Sequence, residues 1–337
     1  MSRRTSRAAA ALLAVMFVGG PTVFQAVASE GSDEVHGQLV VTLRDDRIDE
    51  SSGLVVRDGR MFTVNDSGDG PYLYEVDMRT GETAAVTTYD DEDPKDVEAL
   101  APGRDGTVWV GDIGDNRRSR DSVRVFHLVP PTSGGVVSAD RFDLVYPDGP
   151  HDAETLLVHP RTGRVFVVTK SFAGGVVYEA PRSLRPGQTY RLERVGSVPG
   201  LITDGTFLPG GRHVLLRTYG AATVYSFPGF QRVADVPLPE QEQGEGIAVD
   251  RRRIYLSSEG QHSEVLAVDE PSVPRAGSPA TLGPRPQARP EPREHRVYHP
   301  EPWLGLGPAP VLLGAAAAGG VVVLLVRAAR RRGRRRP

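Results

Sequence analysis

The chain has 337 residues, enough for a sizeable core, and contains no cysteine, which excludes disulfides and thiolate metal sites. Outside its two terminal segments, residues 30–300 carry 30 basic and 42 acidic side chains, a net charge of about −12. This excess argues against nucleic acid as a partner, because phosphate binding needs a basic surface, and it favours cation binding.

Residues 1–28 have the pattern of a secretory signal peptide. Three arginines precede the apolar run 8–18, and Ala26-Val27-Ala28 offers a small-residue cleavage site. The apolar run is short of a bilayer span, although an uncleaved N-terminal anchor is the alternative. The pattern predicts export of the segment that follows.

The other end of the chain has the pattern of a membrane anchor. Residues 271–302 are rich in proline and predict an extended linker. Residues 303–326 lack charge and are followed by an arginine-rich tail over 327–337, and arginine-rich flanks stay cytoplasmic. We therefore predict a single-pass type I protein of the cell membrane, with residues 29–270 outside the cell.

A short pattern recurs five times between these ends. An acid, one or two small residues and an apolar run begin at Glu50, Glu98, Glu154, Asp204 and Glu245, at intervals of 48, 56, 50 and 41 residues. Two further strand-like runs follow each acid, and a period of this length is typical of a propeller or solenoid. The predicted fold is an all-β, five-bladed β-propeller in which each acid opens the first strand of a blade.

The fifth repeat lacks a fourth strand because prolines follow Val268, and proline cannot donate to a strand ladder. The run 35–43 reads as a strand without a repeat of its own. We therefore expect it to close the fifth blade, which leaves no open edge. A six-bladed count is the alternative, since the outer region of the second repeat, 130–149, is long.

The first strand of each blade lines the centre of a propeller, so the repeat acids should converge there. Crowded carboxylates repel one another unless a cation or hydrogen bonds compensate, and oxygen ligands suit Ca²⁺. Residues two apart on a strand share a face, which adds two further acids to the set. The predicted calcium ligands are Glu50, Asp96, Glu98, Asp152, Glu154, Asp204 and Glu245. The alternative is that these acids cap backbone N–H groups of neighbouring blades.

The second strand of each blade returns to the same face and ends in polar residues. These predicted ligand-binding residues are Asn65, Asp66, Asp112, Asn116, Lys170, Arg217 and Glu259. Lys170 and Arg217 could hold an anionic group bridged to the metal, or each could pair with an acid of the ring. For catalysis the candidates are Lys170, Arg217 and His262, with either His262 or a carboxylate of the ring as general base; His151 is the other histidine near this face.

The chain resembles a family of exported, actinobacterial-type propeller proteins of unassigned activity over residues 36–269. The motifs are Asn65-Asp-Ser-Gly, Asp96-Val-Glu98-Ala-Leu, Gly-Asp112-Ile-Gly-Asp-Asn116, Asp152-Ala-Glu154-Thr-Leu, Thr-Lys170, Thr-Asp204-Gly, Leu-Arg217-Thr-Tyr, Gly-Glu245-Gly-Ile and Ser-Glu259-Gly. More distantly, the acids are similar to those of five-bladed calcium-activated nucleotidases and esterase-like phytases. That similarity implies a central Ca²⁺ and phosphoester hydrolysis, but no catalytic motif is shared.

Two functions follow as expectations. The first is a membrane-tethered extracellular binding or sensing module with a calcium-binding centre, whose partner is a small anionic ligand or a glycan or protein of the cell envelope. The second is a metal-dependent hydrolase of an anionic phosphoester or other ester. A propeller serves both uses, so the fold does not choose between them.

Overall fold

The structure, a computed structural model, describes residues 35–66, 69–90 and 93–271. The predicted signal peptide, transmembrane helix and arginine-rich tail lie outside these residues, as does the predicted linker beyond residue 271. No helix within the described residues is long and apolar enough to cross a membrane.

The described strands form five sheets, one for each blade of a propeller. From the innermost strand outwards, blade one consists of β2 (Ser51–Arg57), β3 (Arg60–Asn65), β4 (Tyr72–Val76), β5 (Thr83–Tyr89) and β9 (Gly135–Val137). Blade two consists of β6 (Val97–Pro102), β7 (Val108–Asp112), β8 (Val123–Leu128), β10 (Asp140–Val145) and β14 (Gln188–Arg191). Blade three consists of β11 (Ala153–Val158), β12 (Val165–Thr169), β13 (Gly175–Glu179) and β15 (Glu193–Val198).

Blade four consists of β16 (Asp204–Phe207), β17 (His213–Arg217), β18 (Ala222–Ser226) and β19 (Arg232–Val236). Blade five consists of β20 (Gly244–Asp250), β21 (Arg253–Ser258), β22 (Glu264–Asp269) and β1 (Gln38–Thr42). The predicted pairing of the first strand with the last sheet is present, since β1 runs antiparallel to β22 with Gln38 opposite Ala267.

The five-bladed prediction is confirmed and the six-bladed alternative is wrong. The long region 130–149 that suggested a sixth blade is shared between two sheets. Its first strand, β9, adds to blade one in parallel with β5, while β10 is the fourth strand of blade two. In the same way β14, which follows blade three's third strand, adds in parallel to β10.

Apolar side chains fill the gaps between blades. The inner and second strands are buried along most of their length because both of their faces pack against neighbouring sheets, so they are apolar continuously rather than alternately. Five buried apolar clusters result, each formed by two adjacent blades. One of them joins blade five to blade one, with Val41 of β1 and Leu54 of β2 among its members.

Small residues bring the inner strands close together. Each inner strand contacts those of both neighbouring blades. A Cβ on Gly246 of β20 would lie 2.7 Å from the carbonyl oxygen of Ser52 in β2, closer than carbon and oxygen can approach. Glycine at this position therefore allows blades five and one to meet around the centre of the ring.

Candidate functional site

In four blades, a β-bulge lies near the start of the inner strand, at the repeat position. The pairing of the inner with the second strand shifts register between Val97 and Ala99, and again between Ala153 and Thr155. Blades five and one have the same irregularity near Glu245 and Ser52. A bulge re-aims the side chain of its extra residue, and these bulges lie on one face of the ring, which we call the acidic face.

Three carboxylates meet on this face. One carboxylate oxygen from each of Asp66, Asp96 and Glu98 lies within 4.8 Å of the other two, and we call these residues the central acidic cluster. Asp66 and Glu98 are buried, and Asp96 is half-buried. Gly114 borders the cluster, since a Cβ there would lie 2.6 Å from Oδ2 of Asp96. Of the predicted calcium ligands, Asp96 and Glu98 are therefore brought together here, and their binding of a metal stays a prediction.

Glu98 is the most confined of these acids. Its side chain is 2% exposed, and its Oε1 atom is buried without a hydrogen-bond partner among the described residues. Burial raises the pKa of Glu98 well above the ordinary 4.5, and the nearby carboxylates of Asp66 and Glu154 raise it further. The cluster therefore needs a proton or a cation to offset its charge.

A lysine stands beside this cluster. Lys170, which follows β12, pairs its ammonium group with Oε1 of buried Glu154. Burial by itself lowers the pKa of Lys170, but Glu154 and Glu245 outweigh this and raise the pKa well above its ordinary value. The ammonium group also lies 5.0 Å from the ring centre of Tyr219. Oε2 of Glu154 remains buried without a hydrogen-bond partner among the described residues.

Asp204 has a different role from the other repeat acids. Its Oδ1 accepts a hydrogen bond from the backbone N–H of Gly205 at 2.7 Å, and its Oδ2 accepts one from Ile247 of blade five at 2.8 Å. Blade four has no bulge here, and Asp204 sits directly opposite Arg217. The sequence left two roles open for this acid, calcium binding and capping of backbone N–H groups in a neighbouring blade. Its contacts show the capping role.

Arg217 is enclosed between blades four and five. Its Nη1 donates to the carbonyl oxygens of Gly246 at 2.6 Å and Ser257 at 3.0 Å, and its Nη2 donates to Oε1 of Gln241 at 2.7 Å. Burial lowers its pKa to about 10, and Glu245 and Asp204 oppose that shift. The side chain is 0% exposed, so the prediction that Arg217 holds a ligand does not agree with its position.

Asp112 is also buried, and its carboxylate contacts other residues of the fold. Its Oδ1 accepts from the backbone N–H of Asp96 at 2.9 Å and from Nη1 of Arg120 at 2.8 Å, and its Oδ2 pairs with Arg124. The carboxylate is fully buried. Asp112 therefore fixes the backbone that presents Asp96, and its predicted contact with a ligand does not fit this burial.

The remaining predicted polar residues contact their own neighbours in the fold. Asn65 donates through Nδ2 to Oδ2 of Asp69 at 2.7 Å and accepts from the backbone N–H of Glu50 at 3.3 Å. Glu259 accepts through Oε2 from Gln243 at 2.7 Å. Asn116 is exposed on the loop after β7. Asp152 accepts through Oδ1 from the backbone N–H of Asp115 at 2.9 Å, which ties blade three to blade two.

The three predicted catalytic residues do not form one group. Lys170 and Arg217 both flank Glu245. His262 instead lies in the turn after β21, 56% exposed, with its Nε2 3.0 Å from Oδ1 of Asp46. The described contacts of His262 therefore join it to Asp46 rather than to the central acids.

The predicted register of blade one is wrong by two residues. Glu50 lies before β2, and its carbonyl accepts from the N–H of Asp66, as the carbonyl of Asp152 does from Lys170. The residue in the bulge is Ser52, which donates through Oγ to the carbonyl of Glu98 at 2.6 Å. In the four blades with a bulge, the repeat residue stands two positions before an aliphatic residue, which is Leu54, Leu100, Leu156 or Ile247. Aligning the blades on this aliphatic residue identifies Ser52, not Glu50, as the repeat residue of blade one.

Two contributors were missed as site residues. Gly114, which leaves room beside Asp96, and Tyr219, which covers Lys170, have no signature in the repeat. Asp66 was predicted to bind a ligand and not a metal, but it belongs to the central acidic cluster. Its sequence signal is its place directly after the second strand of blade one.

No protein-family model and no curated protein match this chain. Many solved structures are similar to this chain, and three of them show how low the identity is. A luciferin-regenerating enzyme is 11% identical with a TM-score of 0.43, covering 70% of this chain and 94% of its own. A gluconolactonase from Xanthomonas campestris is 13% identical with a TM-score of 0.40, and the match covers 71% of this chain and 98% of the gluconolactonase. A Bacteroides caccae protein of unknown function is 11% identical with a TM-score of 0.41, and the match covers 65% of this chain and 78% of that protein. These distant neighbours are similar in fold only.

Proposed function

We propose that this protein is a binding propeller whose central acidic cluster holds a divalent cation, and that the cation is calcium. The observation that carries the proposal is Glu98, which is 2% exposed and keeps a buried Oε1 without a hydrogen-bond partner in the described part of the chain. Its carboxylate lies beside those of Asp66 and Asp96. A cation at this point would satisfy that oxygen and remove the repulsion among the three acids.

The donor set favours calcium over other metals. All three groups are carboxylates, and no cysteine exists in the chain. Calcium takes six to eight oxygen ligands in flexible geometry, whereas zinc prefers nitrogen and sulfur. Of the seven predicted calcium ligands, the proposal keeps Asp96 and Glu98 in the site and adds Asp66, with Glu154 beside it. Waters and a bound ligand would complete the coordination.

The cation would make this face a receptor for a small anionic ligand. A metal among three carboxylates retains attraction for an anion when its remaining positions are open. Lys170 supplies a second positive charge on the same face, although its ion pair with Glu154 partly neutralises that charge. Binding is favoured over catalysis because the described contacts of His262, one of the two candidate bases, join it to Asp46, while the carboxylates that are the other candidate are assigned to the cation.

We also propose that the propeller acts outside the cell, tethered by residues 303–326, on the strength of the terminal sequence patterns. Extracellular calcium modules operate at dissociation constants of about 10⁻⁴ to 10⁻³ M, so a site with only three carboxylates would suffice there. Protease added to intact cells should then remove the propeller. Complete protection in intact cells, with cleavage only after lysis, would argue against this placement.

Calcium should raise the melting temperature of the full-length chain, and EDTA should reverse the effect, because the cation binds the folded state alone. Replacing Gly114 with alanine should remove the calcium effect, since the new Cβ would lie 2.6 Å from Oδ2 of Asp96 and 2.8 Å from Cγ of Glu98. Gly220→Ala is the matched control, because nothing lies within 4 Å of its Cβ. A wild-type melting temperature that does not respond to calcium would contradict the proposal.

Hydrolysis of a phosphoester is the second candidate function. The observation that favours it is the charged Lys170 beside buried Glu98 and Glu154, since a metal and an ammonium group together can stabilise charge that develops on a phosphoryl oxygen. A panel of phosphoesters and carboxyl esters, with calcium or with EDTA, distinguishes the two functions. Calcium-dependent turnover that is lost in Lys170→Met would favour the hydrolase, and calcium binding without turnover favours the binding module.

A further inference from the structure

A separate pocket opens on the acidic face at blade three. It is a cavity of about 450 Å³, within the range of small-molecule sites. Its walls come from the loop after β7, the start of blade three, the turn between β12 and β13, and strand β15 with the residue that follows it. They include Arg118, His151, Asp152, Lys170, Arg194 and Pro199. We call it the blade-three pocket. Asp152 and Lys170 connect it to the centre of the ring, where Lys170 pairs with Glu154.

Two arginines give this pocket a positive charge in an otherwise acidic protein. Neither Arg118 nor Arg194 forms an ion pair or a side-chain hydrogen bond within the described residues. Asp152 is the acid among the lining residues, and its Oδ1 already accepts the N–H of Asp115. Two guanidinium groups with unused donors beside a small cavity are suited to carboxylate or phosphate oxygens.

The loop that carries Arg118 is held in place before any ligand arrives. Oδ2 of Asp115 accepts from the backbone N–H groups of Ser119 at 2.7 Å and Arg120 at 2.8 Å. The side chain of Arg120 in turn binds Asp112 and the carbonyl of Gly114. Arg118 adopts a left-handed backbone with φ of 50° inside this network. Such preorganisation lowers the entropic cost of binding.

The other side of the pocket combines a fixed imidazole with an exposed ring. Nε2 of His151 lies 3.0 Å from Oδ1 of Asp148 and 3.0 Å from the hydroxyl of Tyr178, so the ring is held by two partners. Phe172, between the lining residues Ser171 and Ala173, is 84% exposed. Phe172 does not itself line the pocket, but its exposed ring lies on the turn that supplies Ser171 and Ala173, where it offers a contact surface for an apolar or ring-shaped body.

We infer that the blade-three pocket binds a small organic anion, a carboxylate or phosphate attached to a ring-shaped body, with Arg118 and Arg194 on the anionic group and Phe172 on the ring. The inference goes beyond the proposed function, because it places an anion in a second site on the acidic face, separate from the central acidic cluster. The pocket itself needs no metal, because its own side chains supply the positive charge.

Calorimetric titration of the full-length chain with phenyl phosphate tests this inference. Wild-type protein should bind phenyl phosphate, and the double substitution Arg118→Ala/Arg194→Ala should weaken binding at least about tenfold, since both guanidinium donors to the phosphate are removed. The control is Arg182→Ala/Arg185→Ala, which removes two exposed arginines of the loop after β13, at the opposite end of the same blade. That control should bind as the wild type does.

Two further arms separate the contributions. Phe172→Ala should weaken phenyl phosphate but leave inorganic phosphate unchanged, and equal loss for both would overturn the role of the ring. Equal affinity in the double arginine variant, or no binding of phenyl phosphate by the wild type, would overturn the inference itself. The calcium melt distinguishes the two failures: a calcium response without anion binding leaves the proposed metal site standing, and the reverse leaves the pocket standing.

Discussion

Replacing Arg217 with methionine is expected to lower the free energy of unfolding by about 3–5 kcal/mol, the usual cost of removing one partner of a buried ionic interaction. Methionine fills similar volume but donates nothing. The carbonyls of Gly246 and Ser257 and the amide oxygen of Gln241 would lose their donors, and Glu245 and Asp204 would lose a nearby positive charge. Urea unfolding followed by tryptophan fluorescence and circular dichroism measures the change.

The control for this substitution is Arg212→Met, on the exposed turn between β16 and β17 of the same blade. Surface substitutions of this kind usually change stability by less than about 0.5 kcal/mol. A loss below about 1 kcal/mol in Arg217→Met would show that the contacts between blades four and five do not depend on this guanidinium. It would also reopen Arg217 as a residue that a ligand can reach.

Replacing Glu98 with glutamine is expected to have two opposite effects. In EDTA it should stabilise the protein near neutral pH, because a buried charge beside Asp66 and Asp96 is removed. With calcium it should weaken metal binding at least about tenfold, since one of the three carboxylate ligands loses its charge, and changes to residues that only support metal ligands already cost about 10–100-fold in affinity. Thermal melts and calcium titration of the same preparations measure both effects, with the exposed Glu82→Gln as control.

The pH dependence of the metal-free protein follows from the same residue. The folded-state pKa of Glu98 is raised above its ordinary 4.5, mainly by burial, so the folded state holds the proton more tightly than the unfolded state does. Its contribution to stability is full below about 4.5 and is lost as pH rises through the folded pKa. In EDTA, stability should therefore fall as pH rises above about 4.5, and the fall should be smaller in Glu98→Gln.

Calcium should flatten the same profile in the wild type, because a bound cation replaces the proton. A part of the slope should persist in Glu98→Gln, since burial also raises the pKa of Asp204, which the substitution leaves in place. Identical pH profiles for wild type and Glu98→Gln in EDTA would show that Glu98 does not titrate as its burial requires. Such a result would remove the electrostatic reason for a cation at this point.

The repeat made the fold predictable from the sequence. Strands of small and branched residues recur at intervals of 41 to 56 residues. Proline after Val268 explains why a strand from elsewhere, β1, completes blade five. The exchange of β9 and β14 into preceding blades was not predictable, because it depends on which sheet edges are open rather than on a local pattern. Only the folded ring shows those edges.

The sequence predicted which types of residue form the site, but not which role each individual residue has. The spacing of Asp96 and Glu98 indicated that their carboxylates converge. By contrast, Asp204 and Arg217 follow the same repeat as the central acids, yet the absence of a bulge in blade four directs them into backbone contacts. A bulge depends on how two strands pair, and the residues of one strand alone do not specify it.

The most direct test of the cation site is an anomalous difference map from crystals of this protein grown with calcium and then soaked in terbium, a calcium substitute with strong anomalous scattering. We predict one dominant peak within about 2.3–2.6 Å of carboxylate oxygens from Asp66, Asp96 and Glu98, as calcium-type coordination requires. Well-diffracting crystals with no peak among these three residues, or with terbium bound only at the protein surface, would contradict the account.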